Sequence, residues 1–209
     1  MMNLQKFRHA CFAVTKDDAT LIVDPGNWST DIGDLTNVIA IVITHEHADH
    51  FDHTQLQKLS STFPQATVYA HHDITSQITE LPTHAVTAGD TRQVGPFTLS
   101  FYGGTHAVIH SSLPVVANLG VLINHSLYYP GDSLTIPHVP VTTLALPAAA
   151  PWMKISETID FCTAINASVL VFPTHDAILS DDGKALIDKM ISTVSPVYQR
   201  IDGSLTITD

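Results

Sequence analysis

Residues 38–50 read VIAIVITHEHADH: seven apolar or β-branched positions, Val38 to Thr44, run into three histidines and an aspartate within six positions. A continuous run of this kind reads as a strand buried on both faces. It delivers its last residue directly into a cluster of imidazoles and carboxylates. Were the strand to continue, His45, His47 and Asp49 would share one face; a turn after Ala48 would swing Asp49 and His50 to a neighbouring point. A turn therefore divides the donors into two sets. Neutral imidazoles and carboxylates are ligands that Zn²⁺, Fe and Mn²⁺ accept, and paired metal sites need donors that are shared yet separated. The competing reading makes these surface residues at a strand–helix junction, with Asp49 capping the next helix. Four donors in six residues outweigh it.

Around this stretch the chain alternates short apolar runs with punctuation. HACFAVT, a Lys16-Asp17-Asp18 turn and TLIVDPG read as a hairpin ending in a Pro-Gly turn. Downstream, FDHTQLQKLSSTF predicts a short helix, ATVYA a strand, DITSQITEL a helix and FTLSFYGG a strand. ANLGVLIN, SLYYPGD, VTTLALP and SVLVFP predict further strands, with helices over about 156–165 and about 181–193. Several connections are too short to hold a crossover, so a two-sheet core flanked by helices fits better than one doubly wound parallel sheet. The 209 residues fit a single domain, 1–209, without repeat, low-complexity tract or linker.

Composition narrows the function classes. Twenty acidic residues face nine basic ones scattered along the chain, a balance that repels a phosphate backbone and argues against nucleic acid as a partner. Cys11 and Cys162 form no C-x-x-C pair and no disulfide framework, as expected of a reducing compartment. The N-terminus MMNLQKFRHACFAVT lacks a secretory pattern, and no segment has the apolar length to span a bilayer. The expectation is a cytoplasmic protein with a small-molecule substrate and no membrane partner. Thirteen histidines are the oddity, many of them at the ends of apolar runs.

The segment from His45 to His50 resembles the H-x-H-x-D-H signature of the metallo-β-lactamase superfamily. The resemblance implies an α+β fold, the four-layer αββα sandwich, with a one- or two-metal site at one edge of its sheets. It also implies further ligands in the order His, Asp, His, each at a strand end. The chain offers His106 in FYGGTHAVIH, Asp132 in LYYPGDS and His175 in VFPTHD. Read alone, Asp132 follows a Pro-Gly turn that brings backbone close to a site, against an ordinary Asx turn. His175 ends an apolar run, where a satisfied core histidine competes. His106 is preferred to His110 because Gly103-Gly104 resembles the tight turn that presents this ligand; His110 then supports the site or faces substrate. Asp24 in LIVDPG matches an aspartate that supports such sites without ligating, against a plain turn residue.

Beyond the signature, GGTHAVIHSSLPVVANLGVLI, YYPGDS and LPAAAPW are similar to a small bacterial branch of metal-dependent hydrolases, distantly similar to the ascorbate-phosphate lactonase group. Carried onto this chain, the resemblance implies two divalent ions, zinc first with Mn²⁺ or Fe²⁺ as alternatives. His45, His47 and His106 would hold one ion, Asp49, His50 and His175 the other, with Asp132 bridging. On that resemblance a water shared by the ions would become hydroxide near neutral pH and attack an ester, lactone, amide or phosphoester bond of a small molecule. Asp49, the catalytic candidate, would orient that water or accept its proton.

The alternative is a metal-binding or sensing protein without turnover. Structural zinc sites saturate with four ligands, whereas seven donors including two aspartates favour the enzyme. A flavodiiron role is disfavoured because that branch places Glu where His47 stands. His71, His72, His84, His125 and His138 read as exposed or turn residues and His53 as a solvent-facing helical one, while Trp152 and Met153 floor a pocket or merely pack. Few basic residues lie near the motifs, which favours neutral esters, amides or lactones.

Overall fold

The computed structural model describes residues 1–29 and 32–207. One sheet comprises β1 (Met2–Lys6), β2 (Phe12–Lys16), β3 (Ala19–Val23), β4 (Val38–Val42), β5 (Thr67–Ala70), β6 (Thr83–Ala85) and β13 (Gly203–Ile207), in the order β13-β1-β2-β3-β4-β5-β6. The other comprises β7 (Thr91–Val94), β8 (Phe97–Gly103), β9 (Leu119–Ile123), β10 (Leu127–Tyr129), β11 (Thr143–Pro147) and β12 (Leu170–Thr174), in the order β12-β11-β10-β9-β8-β7. The helices are α1 (His53–Thr62), α2 (His72–Thr75), α3 (Ile155–Ile165) and α4 (Asp181–Ser192).

Three apolar clusters make four layers. Between the sheets, Phe12 sets its ring edge-on to Tyr129 and Phe172, among Leu21, Val42, Phe97 and Phe101. Outside the first sheet, Leu56 and Leu59 of α1 and Ile74 of α2 cover Ile22, Ile41 and Val68. Outside the second, Phe161 and Cys162 of α3 and Ile191 of α4 cover Tyr128, Leu144 and Val171. Strand periodicity explains the continuous run in β4: Ala40 and Val42 face the inter-sheet core, Ile41 and Ile43 the helical layer. The expected αββα sandwich is therefore the fold.

Pairing fixes strand direction, and direction positions the site. β1 is antiparallel to β2, β2 to β3, and β3 parallel to β4, so β1, β3 and β4 point the same way. In the second sheet, β8, β10, β11 and β12 likewise share one direction. The loops leaving these strands meet at one rim. There the sheets are joined: His45 bridges to Asn118, and Leu119 N–H donates to Thr44 O at 2.9 Å.

Several expectations need correction. The helix expected over DITSQITEL is one turn, His72–Thr75, because Ile74, Thr75, Ile78 and Thr79 are β-branched and resist helix extension. Asp52 rather than Asp49 caps α1, accepting from Gln55 N–H at 2.8 Å. Strands β1, β6, β7 and β13 were not anticipated; β6 is exposed throughout and lacks an apolar pattern. Four of the nine basic residues, Lys6, Arg8, Lys184 and Arg200, line one 340 Å³ cavity. Their charge is partly engaged: Arg200 pairs with Asp176 and Asp188, and Lys6 Nζ donates to the carbonyls of Phe7, His9 and Cys11. Among the described residues no helix is long and apolar enough to cross a membrane.

Candidate metal centre

Every candidate donor follows a strand that ends at the joined rim. The segment 45–50 leaves β4, His106 follows β8 after Gly103-Gly104, Asp132 follows β10, and His175 is the residue after β12. After His45 the chain folds into a turn, with the N–H groups of His50 and Phe51 both donating to His47 O at 2.9 Å. That turn separates His45 and His47 from Asp49 and His50. His45, His47 and His106 form one group of donors, and Asp49 and His50 join His175 in another. Asp132 meets His45 and His50 in a third, between the two; within each group the donor atoms lie within 4.8 Å of one another. All seven residues singled out in the sequence are thus brought together. His110 is not: its ring is exposed and Nδ1 bonds Ser112 Oγ at 2.7 Å.

The hydrogen bonds sort the imidazole nitrogens. Nδ1 of His50 is held by Asp24 Oδ2 at 2.7 Å, that of His45 by Thr44 Oγ1 at 3.1 Å, that of His175 by Ala149 O at 2.7 Å, and that of His106 by Ala107 O. In these same four residues Nε2 is buried and makes no hydrogen bond among the described residues. Asp132 oxygens lie 3.4 Å from His50 Nε2, 3.4 Å from His106 Nε2 and 3.1 Å from His175 Nε2. Donors sharing an ion at ~2.0–2.2 Å stand roughly 3–4 Å apart, so these separations suit a common cation. In folded proteins most buried polar atoms are hydrogen-bonded. Four orphaned ring nitrogens aimed at two carboxylates therefore fit a metal, and the His/Asp donor set suits Zn²⁺, Mn²⁺ or Fe²⁺.

Asp24 anchors this arrangement, as expected of it. Fully buried, it accepts from Thr44 N–H at 2.8 Å, from Thr44 Oγ1 at 2.7 Å and from His50 Nδ1. Asn118 braces Asp132 in the same way: its Oδ1 accepts from Asp132 N–H at 2.9 Å while its Nδ2 donates to Pro130 O. Trp152, read as pocket floor or packing, donates Nε1–H to Asp132 Oδ2 at 2.9 Å. Of the histidines read as lying outside the site, His53 pairs with Glu80 and His84 accepts from Arg92.

Charges in the cluster oppose one another. Burial alone would raise the carboxyls of Asp49 and Asp132. His175 and His9 beside Asp49, and His50, His106 and His175 beside Asp132, hold both well below the usual carboxylate range. Burial pushes His45 and His47 below the ordinary histidine value. For His50 and His175 burial is outweighed by the neighbouring aspartates, and His175 is pushed up to about 10. An entering cation replaces those ring protons, so its affinity falls as pH falls.

Sequence reading missed His9. It lies in the turn after β1, fully buried, with Nε2 2.9 Å from Asp49 Oδ2 and its ring 4.1 Å from that of His175 and 4.6 Å from that of Trp28. Burial pushes its pKa down to about 4. His9, Asp24 and His175 all adopt left-handed backbone, with φ of 61°, 47° and 58°. His and Asp are enriched among the few residues that do so, and such geometry persists where surrounding contacts over-determine it.

Residues 3–175 match the family described as the beta-lactamase superfamily domain. The chain is 40% identical over 190 residues to Protein Rv0786c of Mycobacterium tuberculosis (strain ATCC 25618 / H37Rv), covering 88% of this chain and 89% of that one. Its fold is similar to that of Igni18, a metallo hydrolase from Ignicoccus hospitalis KIN4/I, with TM-score 0.76 and 17% identity over 99% of each chain. It is also similar to CmlA, a diiron β-hydroxylase from Streptomyces venezuelae, with TM-score 0.71 and 15% identity over 99% of this chain and 54% of that one.

Proposed function

The chain belongs to the beta-lactamase superfamily, on its metallo-β-lactamase fold, and from that premise we propose a hydrolase of small neutral esters, lactones or amides whose donor residues would hold two divalent ions, zinc by preference. The observation that carries this reading is the convergence of four orphaned Nε2 atoms on Asp49 and Asp132. On this reading His45, His47 and His106 hold one ion, Asp49, His50 and His175 the other, and Asp132 lies between them. Ions bound there supply Lewis acidity and activate water near neutral pH.

The chain's own groups position the reaction. Asp49, its side chain 24% exposed, is the more open carboxylate of the pair and accepts a hydrogen bond from an incoming water. Trp152 fixes one oxygen of Asp132, and Asp24 fixes Thr44 and His50.

Two features favour a neutral substrate with an apolar part. No Lys or Arg occurs from residue 93 to 153, which includes His106 and Asp132. The loop after His106 returns to it, His106 N–H donating to Val116 O, and exposes Val108, Ile109, Leu113 and Val115. A groove of about 200 Å³ runs between Val115 and Glu46, the residue between two of the histidines. Cys11 and Cys162 are free thiols, in keeping with a reducing cytoplasmic setting. The acidic surface disfavours nucleic acid.

Metal analysis of the purified protein, then lactone, ester, thioester, amide and phosphodiester substrates offered to wild type and Asp132→Ala, tests the proposal. Wild type should carry stoichiometric metal and turn over a neutral substrate, with a loss in the variant beyond the about 100-fold reached by disturbing a ligand's support. Tight metal binding with no turnover across the panel would leave a metal-binding protein instead.

A further inference from the structure

Resting on the metal reading above, we propose that His9 is a positioning residue: it donates its Nε2 proton to Asp49 Oδ2 and so fixes the carboxylate that serves the second ion. Distance alone leaves two roles open, because His9 stands with Asp49, His50 and His175 in one donor group and is near enough to be a ligand itself. Its hydrogen bonds choose between them. In His45, His50, His106 and His175, Nδ1 is tethered and Nε2 is orphaned. His9 is inverted: Nε2 is engaged by Asp49 at 2.9 Å, and Nδ1 is the buried nitrogen without a partner among the described residues. A metal-ligating histidine normally donates its other ring N–H to an acceptor, and among the described residues His9 has no acceptor at Nδ1. The proton therefore sits on Nε2 and points at Asp49.

The rest of the geometry holds the ring to that task. Trp28 and His175 pack against it, its carbonyl accepts from His175 N–H at 3.2 Å and from Lys6 Nζ, and its backbone is left-handed. Asp49 Oδ2 also lies 3.3 Å from His175 Nε2 and 3.7 Å from His50 Nε2. A carboxylate oxygen carries two lone pairs; His9 takes one and leaves the other turned toward the two imidazoles that would share the ion. Without His9, Asp49 is free to rotate toward solvent.

The test uses His9→Phe, which keeps a ring but no donor, and His9→Gln, which keeps a donor; the backbone strain is common to both. Each is titrated with Co²⁺, following absorbance and ion stoichiometry. Wild type should take two ions. His9→Phe should keep the ion at His45, His47 and His106 but bind the second about 10–100-fold more weakly, and His9→Gln should recover most of that loss. Unchanged second-ion affinity in His9→Phe, or no recovery in His9→Gln, overturns the proposal. A measurement without variants decides the case if His9→Phe fails to fold: ¹⁵N NMR of zinc-loaded wild type should find His9 protonated at Nε2 with a free lone pair at Nδ1. A zinc-bound Nε2 with a protonated Nδ1 would make His9 a ligand and end the positioning role. Wild type that takes up no ions overturns the metal reading and His9's role together, whereas loaded wild type with the wrong tautomer overturns only the latter.

Discussion

Asp24 commits both oxygens to the segment that carries the ligands, gripping Thr44 twice and His50 once without exposure to solvent. Asp24→Ala strands three polar groups and removes the partner of a buried imidazole. It should lower stability by about 3–5 kcal/mol, read as a fall in the urea midpoint, and weaken the ion beside His50 by about 10–100-fold. An unchanged midpoint would mean that Thr44 and His50 find other acceptors. Local chemistry made Asp24 and the segment 45–50 readable in the sequence, because a strand end, a turn and a dense set of donors coincide there. His9 had no such signature. Its partner Asp49 is forty residues away, and a lone histidine in KFRHACF looks like any other of the thirteen.

Between elements, the loop after β3 approaches closely the turn that carries Asp49 and His50. A Cβ on Gly26 would fall 2.0 Å from the carbonyl carbon and oxygen of Asp49 and 2.4 Å from His50 N, all backbone atoms. Asn27 N–H binds the same turn, donating to Ala48 O at 2.8 Å. Gly26→Ala must therefore push the turn outward. It should cost about 3 kcal/mol, as severe overpacking does, and should lower second-ion affinity while sparing the ion at His45, His47 and His106. Calorimetry together with metal titration reads both, and a variant as stable as wild type would show that the loop yields instead. DPG was legible as a turn, but not the reason for its glycine, since the atoms that forbid a side chain come from the distant turn at Asp49 and His50. Continuous apolar runs such as VIAIV and LVFP were legible as strands because both their faces are covered. Exposed edge strands such as β6 owe their form to a neighbour, and one sequence does not display its neighbours.

For the whole molecule, three apolar clusters carry the fold without help from ions. Chelation should therefore leave the far-UV circular dichroism and a cooperative melt intact while lowering the melting temperature, as expected when a ligand of the native state is withdrawn. Loss of secondary structure would make the ions structural. In the ion-free protein His50 and His175 are pushed up, so their stabilisation is full below the ordinary histidine value of 6.5 and is lost as pH rises through the folded values. His9, His45 and His47, pushed down, are already neutral in both states above that value. Between about pH 7 and 8 the ion-free urea midpoint should drop, by about 1 kcal/mol of stability. Above that, Lys6, lowered by burial to about 8, begins to oppose the trend. A flat profile in that interval would contradict the proton-loaded cluster. The layered architecture was legible from the short connections and the H-x-H-x-D-H stretch; the gathering of dispersed basic residues around one cavity was not, because it depends on how the layers close. Shared strand direction has one more result: the tight turns at Asp17–Asp18, Gly95–Pro96 and Asn124–His125 lie at the opposite pole from the donors. Insertions, fusions or attachments at those turns are therefore held a strand's length away from the donors and should leave them undisturbed.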